Sequence, residues 1–253
     1  MGVIYFPPGR YKLKDNVNVF SDTTICGEGT IVGTNIISPT LQFPVIYTIG
    51  FKIWGDATIT GPNSVGSPVG YSNSIAPNEQ VFNLVNNFSA GDLVMISNFP
   101  TATNGSDTCI LHTYTPFITN CDYPTVTVNN QTKRQLRRKE FSVIEGATAS
   151  QIKLVDKTLF YYDQQTVKFT KVAPVKNVKV EGVMLDTVGF KLNLVKNFAL
   201  KVADAKKVNF SASSCYNCTV NIDNFDAQNT AGALDFNEGS RHVNVKGNYK
   251  NFV

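Results

Sequence analysis

The chain has 253 residues, of which 42% are hydrophobic and 17% are charged, compared with about 25% charged residues in an average domain. A formal net charge of +4 argues against a nucleic-acid partner. No apolar run reaches the roughly 18 residues that span a bilayer, so membrane insertion is also excluded.

The first residues predict two strands joined by a stiff corner. Val3-Ile4-Tyr5-Phe6 is apolar and rich in β-branched and aromatic side chains, and Pro7-Pro8-Gly9 then interrupts it. Because proline lacks a backbone donor, this break cannot lie inside a sheet ladder. Tyr11 and Leu13 resume the alternation at once. Helical periodicity is weak along the chain, which we therefore predict to be all-β.

A repeat in the last eighty residues indicates how these strands are arranged. Apolar pairs recur after 20, 22 and 23 residues, at Val178/Val180, Phe198/Leu200, Val220/Ile222 and Val243/Val245. A chain that returns with this period to stack on itself is a parallel β-helix, with coils about 4.8 Å apart. We predict that Val178, Phe198, Val220 and Val243 stack. The outward positions that follow alternate in sign, which favours this register: Glu181, Lys201, Asp223 and Lys246.

The opening phrase "YFPPGRYKL…SDTTICGEG" resembles the first coil of pectate-lyase-like right-handed β-helix proteins, above all phage tailspikes and related glycan depolymerases. The resemblance implies a right-handed parallel β-helix, a homotrimer, a bacterial surface polysaccharide as partner, and a place in the extracellular virion tail. Secretion from a cell is the alternative location. The chain begins and ends within strand-like sequence, so we expect a fragment of a longer chain.

The middle of the chain departs from the repeat. We expect one β-helix domain over 1–253, with an insertion at about 62–170. The segments "FSAGDLVMISN" and "KEFSVIEGATASQIKLVDKTLFYYD" predict a small antiparallel β insertion within 81–170. The basic run "KRQLRRKE" at 133–140 suits a solvated loop or a subunit contact, or alternatively a grip on an anionic glycan.

Asp204 and Asp226 are the first catalytic candidates. They are 22 residues apart and share the same offset from Leu200 and Ile222. Stacked carboxylates would lie about 5 Å apart, the separation found in retaining glycosidases. The alternative is that both are turn residues that cap backbone groups.

Further candidates lie on the corner "NTAGALDFNEGS". Asp235 and Glu238 could act on a glycan there, or could be ordinary turn carboxylates. Asp186 is a third candidate, with no partner that the sequence identifies.

The substrate-binding candidates are aromatic or basic: Tyr216, Arg241, Tyr161 and Tyr162, together with Trp54 as a stacking platform. Burial in a core or an interface is the alternative for the aromatic residues.

No cofactor or metal site is predicted. The five cysteines are odd in number, and Cys215-Tyr-Asn-Cys218 lacks evident further zinc ligands, so small buried side chains are the favoured interpretation. His112 and His242 show no catalytic spacing.

Two functions remain open: a tailspike-type protein that binds and cleaves a surface polysaccharide, as a glycoside hydrolase or a polysaccharide lyase, or a non-catalytic receptor-binding or structural virion protein. A secreted pectate-lyase-like enzyme is less favoured, since neither a signal segment nor an acidic cluster is evident.

Overall fold

The computed structural model describes residues 2–38, 45–55, 68–97, 125–128, 131–134, 139–162, 167–228, 234–237 and 239–251. These ranges contain strands and no helix, and hence no helix long and apolar enough to cross a membrane. The strands are, in chain order, β1 Gly2–Phe6, β2 Arg10–Lys12, β3 Val17–Asn18, β4 Thr23–Gly27, β5 Thr30–Val32, β6 Asn35–Ser38, β7 Val45–Thr48, β8 Gly50–Trp54, β9 Pro68–Gly70, β10 Val81–Phe82, β11 Leu93–Ser97, β12 Thr125–Val128, β13 Gln131–Arg134, β14 Lys139–Thr148, β15 Gln151–Leu154, β16 Lys168–Val172, β17 Val175–Glu181, β18 Met184–Asp186, β19 Gly189–Lys206, β20 Asn209–Asp226, β21 Leu234–Asn237 and β22 Arg241–Lys250.

Parallel pairing stacks the coils into a solenoid with three faces. The first face joins β1, β4, β17, the middle of β19 and β20, and the start of β22. The second face joins β2, β5, β18 and the ends of β19, β20 and β22. The third face joins β3, β8, the starts of β19 and β20, and β21. The predicted fold class, a parallel β-helix with an antiparallel insertion, is confirmed.

The core of the solenoid consists of ladders of inward side chains, one from each coil. On the first face the buried ladder is Ile25, Val180, Leu200 and Val220. On the third face phenylalanines stack, with ring centroids 5.3 Å apart for Phe51 and Phe190 and 5.9 Å apart for Phe190 and Phe210. Successive coils therefore bury the same chemical type at the same position, which is what fixes the register.

The predicted register of the third repeat is wrong by two residues. Val178 stacks on Phe198 and Phe198 on Cys218, while Val220 stacks on Leu200. The aligned positions are thus Val178, Phe198, Cys218 and Val243, with spacings of 20, 20 and 25. Cys218, Val220 and Ile222 are all buried and all point inward. Two alignments that differ by two residues therefore keep the inward pattern: one places Cys218 opposite Phe198, as in the structure, and the predicted one places Val220 there.

The predicted alternation of charges on the first face is also wrong, because it depended on the same register. Lys201 stacks on Asn221, not on Asp223, and Asn221 stacks on Lys246. The alternation exists instead on the second face. There the outward row is Asp186, Lys206, Asp226 and Lys250, in four successive coils.

The insertion is a six-stranded antiparallel sheet in the order β10-β15-β14-β11-β16-β9. One of its apolar clusters includes Phe82, Ile96 and Phe169. A second cluster joins the sheet to the solenoid, because Phe141 packs with Leu194 and Tyr216. The described part of the chain also contains two separate hairpins, β6–β7 and β12–β13. Lys133 and Arg134 of the basic run lie in β13, and 135–138 fall outside the described residues.

Candidate functional site

Asp204 and Asp226 lie in neighbouring coils on the second face, but they are not stacked on each other. Asp204 pairs with Asn224, whose Nδ2 donates a 3.2 Å hydrogen bond to Asp204 Oδ1, and Asp226 pairs with Lys206. The two aspartates are therefore offset by two residues along the strand and one strand across, about 8 Å between Cα atoms. The predicted direct stacking is wrong for the same reason as the register. The expected separation of about 5 Å between the two carboxylates depended on that stacking and no longer applies.

Asp226 belongs to the outward row of alternating charges and is held by three neighbours. Asn251 Nδ2 donates to Oδ1 at 2.8 Å, Gln228 N donates to the same oxygen at 3.1 Å, and Lys250 Nζ lies 3.8 Å from Oδ2. These contacts, led by the Asn251 hydrogen bond, lower the pKa of Asp226. An ionised Asp226 can accept hydrogen bonds or act as a base, but it is unsuited to donate a proton at neutral pH.

Tyr216 and Arg241 lie side by side in adjacent coils, at the seam between the solenoid and the antiparallel sheet. Arg241 Nη2 is 3.3 Å from Glu140 Oε2 and donates to Lys157 O at 2.6 Å. The side chains of Arg241 and Glu140 are 8% and 0% exposed. Glu140 Oε2 also accepts from Leu159 N at 2.9 Å. This buried ion pair links a solenoid coil to two segments of the insertion.

Asp156 is the second acidic group of the seam. It accepts hydrogen bonds from Tyr216 OH at 2.5 Å and from Ser142 Oγ at 3.1 Å. His242 Nε2 lies 2.7 Å from Asp156 Oδ1, and the imidazole is 53% exposed. Burial alone would raise the pKa of Asp156, but the hydrogen bonds of Tyr216 and His242, with the charge of Arg241, lower it. Burial and the Asp156 contact raise the pKa of Tyr216, so the phenol remains a donor.

Burial in the seam, or for Tyr162 in the core of the antiparallel sheet, describes several of the predicted substrate-binding residues. Tyr162, Tyr216 and Arg241 are buried and offer no free ring face or guanidinium to a glycan, so the prediction of direct substrate contact is unsupported for these three. Tyr161 is exposed and keeps that possibility. Sequence reasoning did not identify Glu140 and Asp156, because their partners in the solenoid lie 60 to 101 positions further along the chain.

The third face presents a different outward surface. Its first outward row stacks Asn18, Lys52, Lys191, Ser211 and Asp235, and its second stacks Trp54, Asn193 and Ser213. Trp54, the chain's single tryptophan, is 46% exposed, and Lys52 Nζ lies 4.1 Å from its ring centroid. Asp235 thus shares a face with an exposed aromatic ring, whereas Glu238 lies outside the described residues.

Within the described ranges, no group of three or more His, Cys, Asp and Glu side chains could hold a metal ion. Cys215 and Cys218 are both buried and form a disulfide bond, in agreement with small buried side chains. His112 falls outside the described residues.

Comparisons with known proteins find likeness in structure alone. No protein-family model and no curated protein matches the chain. The Pseudomonas phage phi297 tailspike gp61 is 10% identical over 97% of this chain and 39% of that chain, with a TM-score of 0.47. The Gp54 tailspike of Acinetobacter baumannii bacteriophage AP22, in complex with A. baumannii capsular saccharide, is 11% identical over 97% and 41%, with a TM-score of 0.41. The tailspike gp49 of Pseudomonas phage LKA1 is 12% identical over 95% and 37%, with a TM-score of 0.30. The chain spans about two fifths of the length of these chains.

Proposed function

We propose that this chain is part of a tailspike-type virion protein that binds a bacterial surface polysaccharide along the third face of its β-helix. The observation that carries the proposal is the exposed ring of Trp54 on a flat, outward polar face. An indole combines a large, rigid apolar ring face with a polar N–H, which is why tryptophan is enriched at binding interfaces.

The neighbours of Trp54 supply the other features of a saccharide site. Asn193 and Ser213 follow it in the next two coils, about 4.8 Å apart, and can exchange hydrogen bonds with sugar hydroxyls. The ring offers its face to the apolar side of a pyranose, and the Lys52 contact helps to hold it in one orientation.

Substitution of Trp54 tests the proposal. The parent chain and Trp54→Ala are compared against a panel of purified capsular and cell-wall polysaccharides by biolayer interferometry. Loss of an aromatic platform should weaken binding at least tenfold. The matched control is Phe20→Ala, which removes a 72% exposed aromatic ring from the first coils. Equal binding by the parent and Trp54→Ala, or binding that Phe20→Ala abolishes as well, would contradict a site at Trp54.

We further propose a homotrimer in the virion tail. Among the described residues, β1 pairs in parallel with β4 on the first face of the solenoid. Val3 and Tyr5 on this strand are exposed apolar side chains. Sedimentation of the full-length parent protein should give three times the monomer mass, and a stable monomer would contradict the proposal.

Cleavage of the bound polysaccharide is a second candidate, favoured by the position of Asp235. This carboxylate belongs to the same outward surface as Trp54, two coils beyond Lys191. If cleavage takes place on that surface, Asp235 is better placed for it than Asp204 or Asp226, which belong to the second face.

A further inference from the structure

A groove opens where the second face turns into the third. Its volume is about 530 Å³, within the range of small-ligand sites, and it is lined by Arg10, Lys12, Val32, Gly33, Thr34, Asn35 and Thr187. The floor is backbone, because a Cβ on Gly33 would lie 2.2 Å from Thr187 O and 2.4 Å from Ile49 O. The absence of a side chain at Gly33 therefore lets the coils approach each other closely beneath the groove.

Positive charge dominates the rim of this groove. Arg10 Nη2 donates to Asp186 Oδ2 at 2.7 Å, and Thr187 Oγ1 donates to Asp186 Oδ1 at 3.0 Å. Lys206 stacks on Asp186 in the next coil. Asp186 thus lies beside two cations, Arg10 and Lys206, and its contacts with Arg10 and Thr187 engage both carboxylate oxygens.

Lys12 is the cation of the groove whose charge is least neutralised by acidic side chains. Its side chain is exposed, and no ion pair to it exists within the part of the chain that the structure describes. It points outward from the same row as Asp186 but two coils away, about 9.6 Å, with the apolar Val32 between them. A second anion at the groove would therefore meet Lys12 and the remaining donors of Arg10, which carries five N–H groups.

The groove and Trp54 lie at opposite ends of the same surface. Thr187 lies two residues before Gly189, the first residue of β19, which pairs with Gly50, and Trp54 ends β8 opposite Asn193. From Gly189 to Asn193 the strand advances by four residues, about 13 Å. An extended oligosaccharide could follow the third face from one end to the other.

We propose that the groove binds the anionic group of an acidic saccharide, a carboxylate or a phosphate, through Lys12 and Arg10, while the saccharide continues along the third face to Trp54. This inference rests on the proposed function and names its ligand class. Lys12 determines specificity for charge, and Trp54 contributes to the binding of any sugar chain.

A matched pair of ligands and a matched pair of variants test the inference. Oligogalacturonate and its methyl ester share one chain and differ in charge, and both are titrated calorimetrically at constant ionic strength. Lys12→Gln removes one of the two groove cations, and Lys14→Gln removes another exposed lysine two residues away that does not line the groove. We expect the parent chain and Lys14→Gln to prefer the acid, and Lys12→Gln to bind it about tenfold more weakly, with affinity for the ester unchanged.

The outcomes separate this inference from the proposed function. Equal affinity of the parent chain for acid and ester, or equal losses in Lys12→Gln and Lys14→Gln, would overturn the groove as an anion site even if Trp54→Ala still abolished binding. Both proposals would be supported if Trp54→Ala lowered the affinity for the acid and for the ester, while Lys12→Gln lost only the preference for the acid. If D-glucuronate competes with oligogalacturonate better than D-glucose 6-phosphate does, the groove prefers a carboxylate. If D-glucose 6-phosphate competes better, the groove prefers a phosphate. Failure of both competitors would overturn the inference.

Discussion

The side-chain amide of Asn217 donates a 2.8 Å hydrogen bond to Oδ1 of Asn197, which occupies the same corner of the preceding coil. Asn197 repeats the contact to Asn177 at 2.9 Å, and Asn177 ends the ladder on Asp22 at 2.8 Å. All four residues have φ between 56° and 62°, the left-handed conformation that asparagine and aspartate tolerate best. His242, with φ 53°, occupies the corresponding corner of the next coil, but its ring contacts Asp156 instead.

Replacement of Asn197 should destabilise the coil corner in two separable ways. Asn197→Ala loses both side-chain hydrogen bonds and must hold a left-handed backbone, for a combined loss of about 2–3 kcal/mol in the free energy of unfolding. Asn197→Gly loses the bonds but tolerates the backbone, and should cost about 1 kcal/mol less. Urea denaturation measures both. The exposed Asn248→Ala is the control, expected within about 0.5 kcal/mol of the parent; equal losses in Ala and Gly would contradict the backbone argument.

This ladder also shows what the sequence could and could not specify. Asn177, Asn197 and Asn217 are 20 residues apart, a more exact period than the apolar pairs. An alignment of the coils on these asparagines places Cys218, not Val220, opposite Phe198. It also places Asn224, not Asp226, opposite Asp204. The solenoid class was predictable because alternation, corners and stacking all repeat along the chain.

The seam could not be predicted in the same way. Glu140 and Arg241 are 101 positions apart, and the offset between an insertion and the coil that it contacts follows no period. The third face is an intermediate case. Trp54 was a candidate from its chemistry, but its neighbours Asn193 and Ser213 became evident only from the pairing of β8, β19 and β20.

Loss of the Arg241 guanidinium should leave Glu140 as a buried carboxylate without a counter-charge, with the Leu159 N–H as its remaining hydrogen-bond donor. Glu140 Oε1 already has no hydrogen-bond partner among the described residues, so Oε2 carries the compensation. We expect Arg241→Met to lower the free energy of unfolding by about 3–5 kcal/mol. The double variant Glu140→Leu/Arg241→Met should regain most of this loss in urea denaturation. A double variant less stable than either single variant would show that the pair is not the source of the effect.

The Asp156 contacts predict a specific loss of stability in acid. The pKa of Asp156 is lowered in the folded state, so the folded protein binds fewer protons than the unfolded chain near the ordinary carboxyl pKa of about 3.9. Its contribution is therefore complete above that pH and is lost as the pH falls through the folded-state pKa. Urea denaturation between pH 7 and pH 3 should show a shallower decline for Asp156→Asn than for the parent. Parallel curves would contradict this role.

Cleavage, if the protein is a depolymerase, should depend on Asp235 rather than on Asp226. Asp235 lies on the outward surface that carries Trp54, while Asp226 lies on the second face and is engaged by Asn251, Gln228 and Lys250. Removal of a general acid or base costs at least about 100-fold in turnover. We therefore expect Asp235→Asn to lower the release of new reducing ends or unsaturated products by that factor, with glycan binding retained. Asp226→Asn, the same substitution on the other face, should cleave at the parent rate. The opposite ranking would place the reaction on the second face, and a parent chain that binds glycan without forming products would identify a non-catalytic receptor-binding protein.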